Sequence, residues 1–260
     1  MSASGEVHST AIVDPGAELA AGVTVGPHAI IGPGVRVGAG TGIDAGVRIE
    51  RNTVIGEDCR IHKGAVLGTD PQDLKYQGEE SWLRIGNRTQ IREYATLNRG
   101  TSESGETVVG DDCLLMAYVH VAHDCRLGNR IIISNATQMA GHVTIEDWAI
   151  ISGLVAVHQF VRIGRHAFIG GLSRVAQDVA PFCRVSGNPP KIYGLNTVGL
   201  ERRGFPAESR AALKKAYRML FHSELNLSQA LVRVREELEM KGEVDEFIEF
   251  IESSERGVTF

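Results

Sequence analysis

The sequence is poor in aromatic residues and has no cysteine motif for a metal. Aromatic side chains make up 6% of the 260 residues, although 43% of the residues are hydrophobic. The cysteines show no CxxC pair or other ligand spacing, which argues against a metal site built from thiolates. They are Cys59, Cys113, Cys125 and Cys183. Aliphatic and small side chains must therefore fill most of the interior.

The chain also lacks a long apolar run and an excess of positive charge. No apolar stretch reaches the length of a membrane span, and no basic segment followed by an apolar one opens the sequence, so we expect no signal peptide. We therefore expect a cytoplasmic protein with reduced thiols. The formal net charge of -5 argues against nucleic acid as a general partner.

What the chain has in abundance is glycine and a six-residue period. Steps of six from Val7 to Val175 visit 29 positions, and 26 of them carry Ile, Leu, Val or Met; the exceptions are Asp73, Glu79 and Glu103. This period fits neither a helix nor a simple strand alternation. It predicts a parallel β-helix of hexapeptides, in which three hexads form one coil of 18 residues and many of the 30 glycines form tight corners.

Two polar segments, residues 69–82 and 99–106, interrupt the period. We interpret both as loops that leave the β-helix, and loops on a rigid scaffold often carry function. The first contains QDLKY, which combines an amide, a carboxylate, an ammonium and a phenol, and this mixture favours a functional role. For the second loop, a functional role and a plain surface role are equally open.

Beyond Val175 a helical period replaces the six-residue period. Apolar residues at helical spacing predict three helices after Pro206. Their buried faces are predicted to be Leu213, Ala216, Tyr217, Leu220 and Phe221; Leu227, Leu231, Val234 and Leu238; and Val244, Phe247, Ile248 and Ile251. We therefore predict a mainly β protein with a β-helix at residues 1–190 and a helical domain at residues 191–260 that caps one end.

The segment VHVAHDC places His120 and His123 three residues apart, with Asp124 next to the second histidine. Counting in coils of 18 residues puts Gly141 beside His123 and His142 beside Asp124. The same counting adds two residues from the following coil, His158 and Gln159. A second column, formed by Asn135, Gly153 and Gly171, predicts a groove of small residues.

These residues have the chemistry of a general base acting on a hydroxyl group. A neutral imidazole beside a carboxylate accepts a proton, and Asp124 would fix the tautomer of His123. The backbone N–H of Gly141 could stabilise an oxyanion. Because no serine or cysteine has an evident base partner, and because Cys125 is expected to be structural, a covalent intermediate is not required.

The hexapeptide pattern resembles that of the hexapeptide-repeat acyltransferase superfamily, which implies a left-handed β-helix and a homotrimer. Within it, the chain resembles the UDP-N-acetylglucosamine O-acyltransferases over essentially its whole length. The motifs that carry this resemblance are, in order, QDLKY, HxAHDC, NRIIISNAT, AGHV, AVHQF, VAQDV, GLN and ERRGF. One departure is Val198, which stands where the family pattern has an acidic residue at the ribose.

The resemblance implies transfer of an R-3-hydroxyacyl group from acyl carrier protein to the 3-hydroxyl of UDP-N-acetylglucosamine, in the first step of lipid A biosynthesis, without cofactor or metal. A sugar nucleotide with a 3-amino group is an alternative acceptor. A second alternative is a zinc enzyme of the gamma carbonic anhydrase type, with His120, His123 and His142 as ligands. A third is a β-helix scaffold or sugar-nucleotide binding module without activity.

The resemblance also implies roles for single residues. His123 matches the general base, Asp124 its support and Gly141 the oxyanion donor. The matched substrate contacts are Asp73 and His120 at the glucosamine ring, His142 on the acyl or acetamido side, and His158, Gln159, Asn196, Arg202 and Arg203 on the nucleotide side, where guanidinium groups suit phosphate. Lys75 of QDLKY is a further expected substrate contact.

Two further expectations concern the acyl donor. Gly171 matches the position that measures acyl length, and because it has no side chain we expect a chain of about C14 rather than C10. A basic patch is expected to meet the acidic carrier protein. The candidates for this patch are Arg162, Arg165, Arg174 and Arg184.

Overall fold

The computed structural model describes residues 5–260 and contains a three-sided β-helix followed by helices. The first four residues, part of the segment expected to carry no signal peptide, lie outside this range. The strands are β1 Ile12–Val13, β2 Glu18–Leu19, β3 Thr24–Val25, β4 Ile30–Ile31, β5 Arg36–Val37, β6 Gly42–Ile43, β7 Arg48–Ile49, β8 Thr53–Ile55, β9 Arg60–Ile61, β10 Val66–Thr69, β11 Trp82–Ile85, β12 Gln90–Ile91, β13 Thr96–Asn98, β14 Glu106–Val109, β15 Leu114–Leu115, β16 His120–Val121, β17 Arg126–Leu127, β18 Ile132–Ile133, β19 Gln138–Met139, β20 Thr144–Ile145, β21 Ile150–Ile151, β22 Ala156–Val157, β23 Arg162–Ile163, β24 Phe168–Ile169, β25 Arg174–Val175, β26 Cys183–Gly187 and β27 Pro190–Leu195.

Up to β25, each of the three sheets takes every third strand along the chain. Sheet I runs from β1 through β4 and β16 to β25, sheet II from β2 through β17 to β23, and sheet III from β3 through β18 to β26 and β27. Neighbouring strands are parallel, as in the pairing of Ile12 with Ile30. At the far end β26 and β27 form an antiparallel hairpin.

The aliphatic residues of the six-residue period fill the interior, as predicted. In sheet I, Ile31, Ile49, Leu67, Leu97 and Val121 form one inward column, and each is at most 1% exposed. Because one coil pairs in register with the next, each buried side chain is covered by its counterparts in the coils on either side. The core therefore runs along the whole β-helix instead of lying at one centre.

The two loops leave the β-helix at the same corner, the one between sheets I and II. Residues 70–81 connect β10 to β11, and residues 99–105 connect β13 to β14. In the following coils this I–II corner is a four-residue turn whose third residue has positive φ, at Asp124, His142 and Phe160. Non-glycine residues are uncommon in this conformation, so the corner holds these three side chains in a fixed direction.

The helices are α1 Thr197–Arg202, α2 Ala207–Phe221, α3 Leu227–Glu237 and α4 Glu243–Glu252. The last three correspond to the three predicted helices, while the short α1 was not predicted. Strand β27 pairs with β26 in sheet III up to Leu195, so the expected domain boundary between residues 190 and 191 falls inside a strand. No helix in the described range is long and apolar enough to cross a membrane.

The helices cover the last coil of the β-helix. Phe182 from the final coil packs against Phe247 of α4, with ring centroids 6.5 Å apart, and both side chains are fully buried. Arg165 of the β-helix makes a two-point ion pair with Glu246 of α4, at N–O distances of 2.7 and 2.5 Å. Apolar burial and this ion pair together fix the helical domain on the end of the solenoid.

The continuous core makes a specific prediction about stability. Ile133→Ala should lower the free energy of unfolding by about 2–5 kcal/mol, because the side chain is fully buried and its loss leaves a cavity. Ile12→Ala is the matched control: Ile12 is 64% exposed, and its loss should cost less than about 1 kcal/mol. Urea unfolding at one fixed protein concentration measures both values. Equal losses would contradict an inward position for Ile133.

Candidate active site

The candidate residues lie mainly at successive turns of the I–II corner. After the two loops come the turns at residues 122–125, 140–143 and 158–161. The amide of His142 donates to the carbonyl of His123 at 3.0 Å, and the amide of Phe160 donates to that of Gly141 at 3.1 Å. The 18-residue counting therefore identified the correct neighbours.

His123 and Asp124 form a hydrogen-bonded pair. The Nδ1 atom of His123 lies 2.8 Å from Oδ2 of Asp124, and the side chains are 13% and 0% exposed. Because a carboxylate can only accept, Nδ1 carries the proton of the neutral ring and Nε2 presents its lone pair. This arrangement is suited to a general base at Nε2.

The second loop holds Asp124 in place. Thr101 donates to the carboxylate through its backbone N–H at 2.9 Å and its hydroxyl at 2.8 Å, and the Ser104 hydroxyl donates to Oδ1. Burial raises the pKa of Asp124, but the hydrogen bonds from Ser104, His123 and Thr101 outweigh it and hold the pKa below its usual value. The carboxylate therefore stays ionised at neutral pH.

Gly141 lies directly against the ring of His123. A Cβ atom at this position would come within 2.6 Å of Cε1 of His123, so only glycine leaves room for the imidazole. Among residues 5–260 no acceptor takes a hydrogen bond from the Gly141 amide.

His142 lies on the other side of Asp124. Its ring meets that of His123 edge-on at 5.1 Å and stacks on Phe160, with centroids 4.4 Å apart. The Nε2 atom is 3.6 Å from Glu103 and 3.7 Å from Asp124. The ring is thus fixed between an aromatic face and two carboxylates.

The first loop and these turns enclose a cavity of about 590 Å³. Loop residues Asp73 and Lys75 line it together with His123, His142 and Gln159. The loop is tied down by Arg99, which is 1% exposed and donates to Gly68, to Asp70 and, at 3.1 Å, to the Tyr76 hydroxyl. Five predicted site residues therefore share one cavity within a single chain.

Two predicted histidines lie beside this cavity without lining it. His120 points outward from sheet I, where its Nδ1 is 2.7 Å from the Thr96 hydroxyl. Burial, with a smaller contribution from His123, lowers the pKa of His120 against the opposing effect of Thr96, so its ring is neutral at physiological pH. His158 is exposed at the next turn, with Nδ1 3.1 Å from the carbonyl of Gln159 and 3.3 Å from Arg256.

The remaining predicted residues lie at other corners. Gly171 belongs to the corner between sheets III and I, across sheet I from His123. Asn196 caps α1 by accepting from the Gly199 amide and donates to the carbonyl of His166 at 3.0 Å. Its side chain thus has a structural use that the sequence did not indicate.

Both arginines of the ERRGF motif also lie away from the cavity that contains His123. Arg203 lies over Trp148, at the corner between sheets II and III, with its guanidinium carbon 3.8 Å from the ring centroid. Arg130 covers Trp148 as well, at 4.5 Å. Arg202 is exposed at the end of α1. Within one chain, therefore, neither arginine joins the cavity that contains His123.

The three histidines proposed as zinc ligands do not come together. The group that could hold a metal consists of His123, Asp124 and His142, whose ligand atoms lie within 4.8 Å of one another. His120 is not part of it. The carbonic anhydrase alternative, which needs His120 as the third ligand, is not supported.

Sequence reasoning missed the residues that position the dyad and the first loop. Thr101 and Ser104 hold Asp124, and Arg99 holds the first loop. All three fall in the second loop, for which a surface role was equally open. The available signal was positional: both interruptions occur after a sheet I strand, as does the turn of His123.

The thiol of Cys125 is unsuited as a nucleophile, as expected from the sequence. Its side chain is buried, and burial raises the pKa of the thiol to about 12.

A hexapeptide β-helix with a histidine–carboxylate pair at its corner defines a transferase of the hexapeptide-repeat class. The bacterial hexapeptide transferase repeat matches residues 106–141, and the family described as UDP-N-acetylglucosamine O-acyltransferase, domain 2, matches residues 178–259. The acyl-[acyl-carrier-protein]–UDP-N-acetylglucosamine O-acyltransferase of Burkholderia orbicola is 49% identical over 193 residues, which are 72% of this chain and 74% of that protein. This chain belongs to the UDP-N-acetylglucosamine O-acyltransferase family.

Solved structures agree with this assignment over nearly the whole chain. The UDP-N-acetylglucosamine acyltransferase of Bacteroides fragilis is 40% identical, with a TM-score of 0.95, covering 97% of this chain and 99% of that one. That of Francisella novicida is 38% identical, with a TM-score of 0.94, covering 98% and 94%. The predicted left-handed parallel β-helix with a helical C-terminal region is confirmed.

The contacts of Asp124 predict that the second loop supports the dyad. Thr101→Val combined with Ser104→Ala should lower kcat about tenfold or more, because hydrogen bonds to a charged group contribute about 1.5–3 kcal/mol and 1.4 kcal/mol is a factor of ten. Without these donors the pKa of Asp124 rises, so the acidic limb of the pH–kcat profile should move to higher pH. Steady-state assays across pH measure both effects.

Thr89→Val provides the control for this double variant. Thr89 is fully buried at another corner, where its hydroxyl donates to the Gly110 carbonyl at 2.8 Å. Its loss should reduce stability while leaving kcat and the pH profile in place. A similar fall in kcat for Thr89→Val would indicate general destabilisation rather than support of the dyad.

Proposed function

We propose that this protein transfers an R-3-hydroxyacyl group from acyl carrier protein to the 3-hydroxyl of UDP-N-acetylglucosamine, the entry step of lipid A biosynthesis. The observation that carries the proposal is the contact between His123, supported by Asp124, and Gly141, whose N–H has no acceptor in residues 5–260. A base and an oxyanion donor side by side are what acyl transfer to a hydroxyl requires.

The chemical steps follow from this geometry. Nε2 of His123 removes the proton from the sugar 3-hydroxyl, and the oxygen attacks the thioester carbonyl. The N–H of Gly141 donates to the oxyanion of the tetrahedral intermediate. When the intermediate collapses, the carbon–sulfur bond breaks and the carrier thiolate takes the proton from His123. Asp124 remains ionised throughout and stabilises the imidazolium.

The cavity beside the dyad supports the acceptor assignment. Asp73, Lys75, His142 and Gln159 offer donors and acceptors around a space of about 590 Å³, which suits a hydroxylated ring better than an apolar ligand. His120 is neutral beside Thr96 and suits a hydrogen bond to a sugar hydroxyl. These residues are proposed to hold the glucosamine ring in position for His123.

For the acyl chain we propose the outward face of sheet I. Ala156 lies in this face between the I–II corner and the corner that carries Gly153 and Gly171. The backbone φ of Gly171 lies outside the left-handed region, so a residue with a side chain fits there without backbone strain. A Cβ atom at this position would meet only the Gly153 carbonyl, at 3.3 Å, and Ser152, at 3.9 Å. The path is therefore open in this chain, which supports a long acyl group of about C14.

A homotrimer would complete the site. Asn196, Arg202 and Arg203, the proposed nucleotide contacts, lie near the corner between sheets II and III or in α1, away from His123. We infer that a substrate that touches both sets lies between two copies of the chain. Repeated heterologous contacts form a ring where the rotation closes, which a homotrimer satisfies.

The exposed apolar column between sheets III and I supports this assembly. Tyr118, Leu154 and Leu172 are 58%, 60% and 71% exposed there. A neighbouring copy would cover this surface.

For the location we propose the cytoplasm. The four cysteines are all free and buried, which is in line with a reducing compartment.

The first test of this function is transfer by purified protein, with carrier-bound 3-hydroxyacyl thioesters as donors and UDP-N-acetylglucosamine or its 3-amino analogue as acceptor. His123→Ala should lower kcat by about 10²–10⁴, because a general base contributes on that order. His28→Ala, an exposed histidine on another corner, should behave like the unsubstituted protein. Absence of product with every donor would refute the function, and faster transfer to the amine would change the acceptor.

The second test concerns acyl length. Gly171→Met should shift the preferred donor from C14 towards C10, because a side chain would then project into the proposed path. The readout is the ratio of kcat/KM for the two carrier-bound donors. Ala21→Met places the same side chain on an exposed turn at the other end of the β-helix and should leave the ratio unaltered. An unaltered ratio in Gly171→Met would show that the acyl chain takes another route.

A further inference from the structure

A second cavity, of about 560 Å³, lies between the β26–β27 hairpin and α2. Its walls are unusually rich in cationic and phenolic groups. They include Arg184, Tyr193, Lys214, Tyr217, Arg218 and His222. We call the group formed by Arg184, Lys214 and Arg218 the cationic surface, and His222 lies beside it. No proposed catalytic or sugar-binding residue belongs to it.

The cations of this surface have no acidic partners. In residues 5–260, no carboxylate lies within 4.0 Å of a side-chain nitrogen of Arg184, Lys214 or Arg218. Other cations of α2 are paired: Arg210 lies 3.6 Å from Glu201, and Lys215 lies 3.9 Å from Glu237. In a chain with a net charge of -5, this local excess of positive charge is a distinct feature.

Two cations of α2 and the histidine that follows the helix are spaced four residues apart. Lys214, Arg218 and the C-cap His222 therefore share one helix face and extend over about 12 Å, at 1.5 Å per residue. Tyr217 is 7% exposed and its hydroxyl lies 3.1 Å from Nε2 of His222, which orients that ring. Arg184 of β26 adds a fourth group across the cavity.

The arginines expected from sequence to meet the carrier protein are mostly committed elsewhere. Arg165 is paired with Glu246, and Arg162 donates to Ser253 and lies 4.4 Å over Phe250. Both therefore attach the helical domain to the β-helix. Of the four, Arg184 joins the cationic surface and Arg174 is exposed on sheet I. Among the expected arginines, these contacts leave Arg184 and Arg174 free of a role at the domain interface.

We propose that the cationic surface docks the acidic carrier protein that delivers the acyl group, an inference that rests on the proposed function. Lys214 and Arg218 are exposed along one face of α2, and the exposed Arg184 of β26 lies across the cavity from them. This spread matches a row of carboxylates on a partner better than a single small anion. Tyr193, 58% exposed at the rim, supplies an aromatic contact of the kind found in protein interfaces. The surface would act mainly on encounter rate and would weaken with salt.

The test compares two donors of the same acyl group, one attached to acyl carrier protein and one attached to pantetheine alone. In the double variant Lys214→Glu/Arg218→Glu, the ratio of kcat/KM for the carrier-bound donor to that for the pantetheine thioester should fall at least tenfold. The matched control is Arg233→Glu/Lys241→Glu, which makes the same charge change on exposed residues of the helical domain and should keep the ratio. Rising salt should lower the ratio for the control and the unsubstituted protein, but much less for the docking variant.

Direct binding separates this inference from the proposed function. Titration of the full-length protein with holo acyl carrier protein needs no turnover, and the docking variant should bind at least tenfold more weakly than the control. If no donor is turned over, the function fails while this binding result still decides the docking surface. Equal binding by docking and control variants overturns the proposal. It is also overturned if the carrier does not bind while inorganic phosphate does, or if sedimentation shows that charge reversal changes the number of associated chains instead.

Discussion

The whole structure depends on one constraint, the stacking of coils in register so that aliphatic side chains lie above one another inside the prism. Each coil covers the apolar face of its neighbour, so the core is continuous. A shift in register would turn the aliphatic side chains of the later coils away from the interior. The same register also fixes the positions of the side chains that point outward. A residue one coil later appears at the same corner, and the turns with positive φ at Asp124, His142 and Phe160 direct successive side chains to one side.

The candidate site is a consequence of this register and of two insertions. Both loops leave the β-helix at the I–II corner, so they surround the turns of that corner in the next coils. The first loop closes the cavity, and the second brings Thr101 and Ser104 to a buried carboxylate. A buried charge without such donors would be costly. The second loop therefore makes possible a buried, ionised Asp124 next to His123.

The charged side chains in and around the helical domain fall into two groups, those that attach the domain to the β-helix and those without acidic partners. Arg165 and Glu246 attach the domain to the last coil, whereas Lys214 and Arg218 remain without acidic partners beside a cavity. The same domain contributes α1, with Arg202 and Arg203 at its end, and thus presents cations at two separate places. The capping helices thus cover the core, and their cations are the proposed contacts for the nucleotide and for the carrier protein.

The sequence by itself determined the β-helix, its two interruptions, the three longer helices and the neighbours of His123, because a strict period converts separation along the chain into adjacency in space. It could not determine that Thr101 and Ser104 bind Asp124, because an insertion has no period. Nor could it decide that Asn196 caps a helix, that Arg203 lies over Trp148 or that Arg162 and Arg165 serve the domain interface. Except for the cap itself, which is local, those contacts join segments distant in sequence, and only the packing of the helical domain on the last coils brings them together.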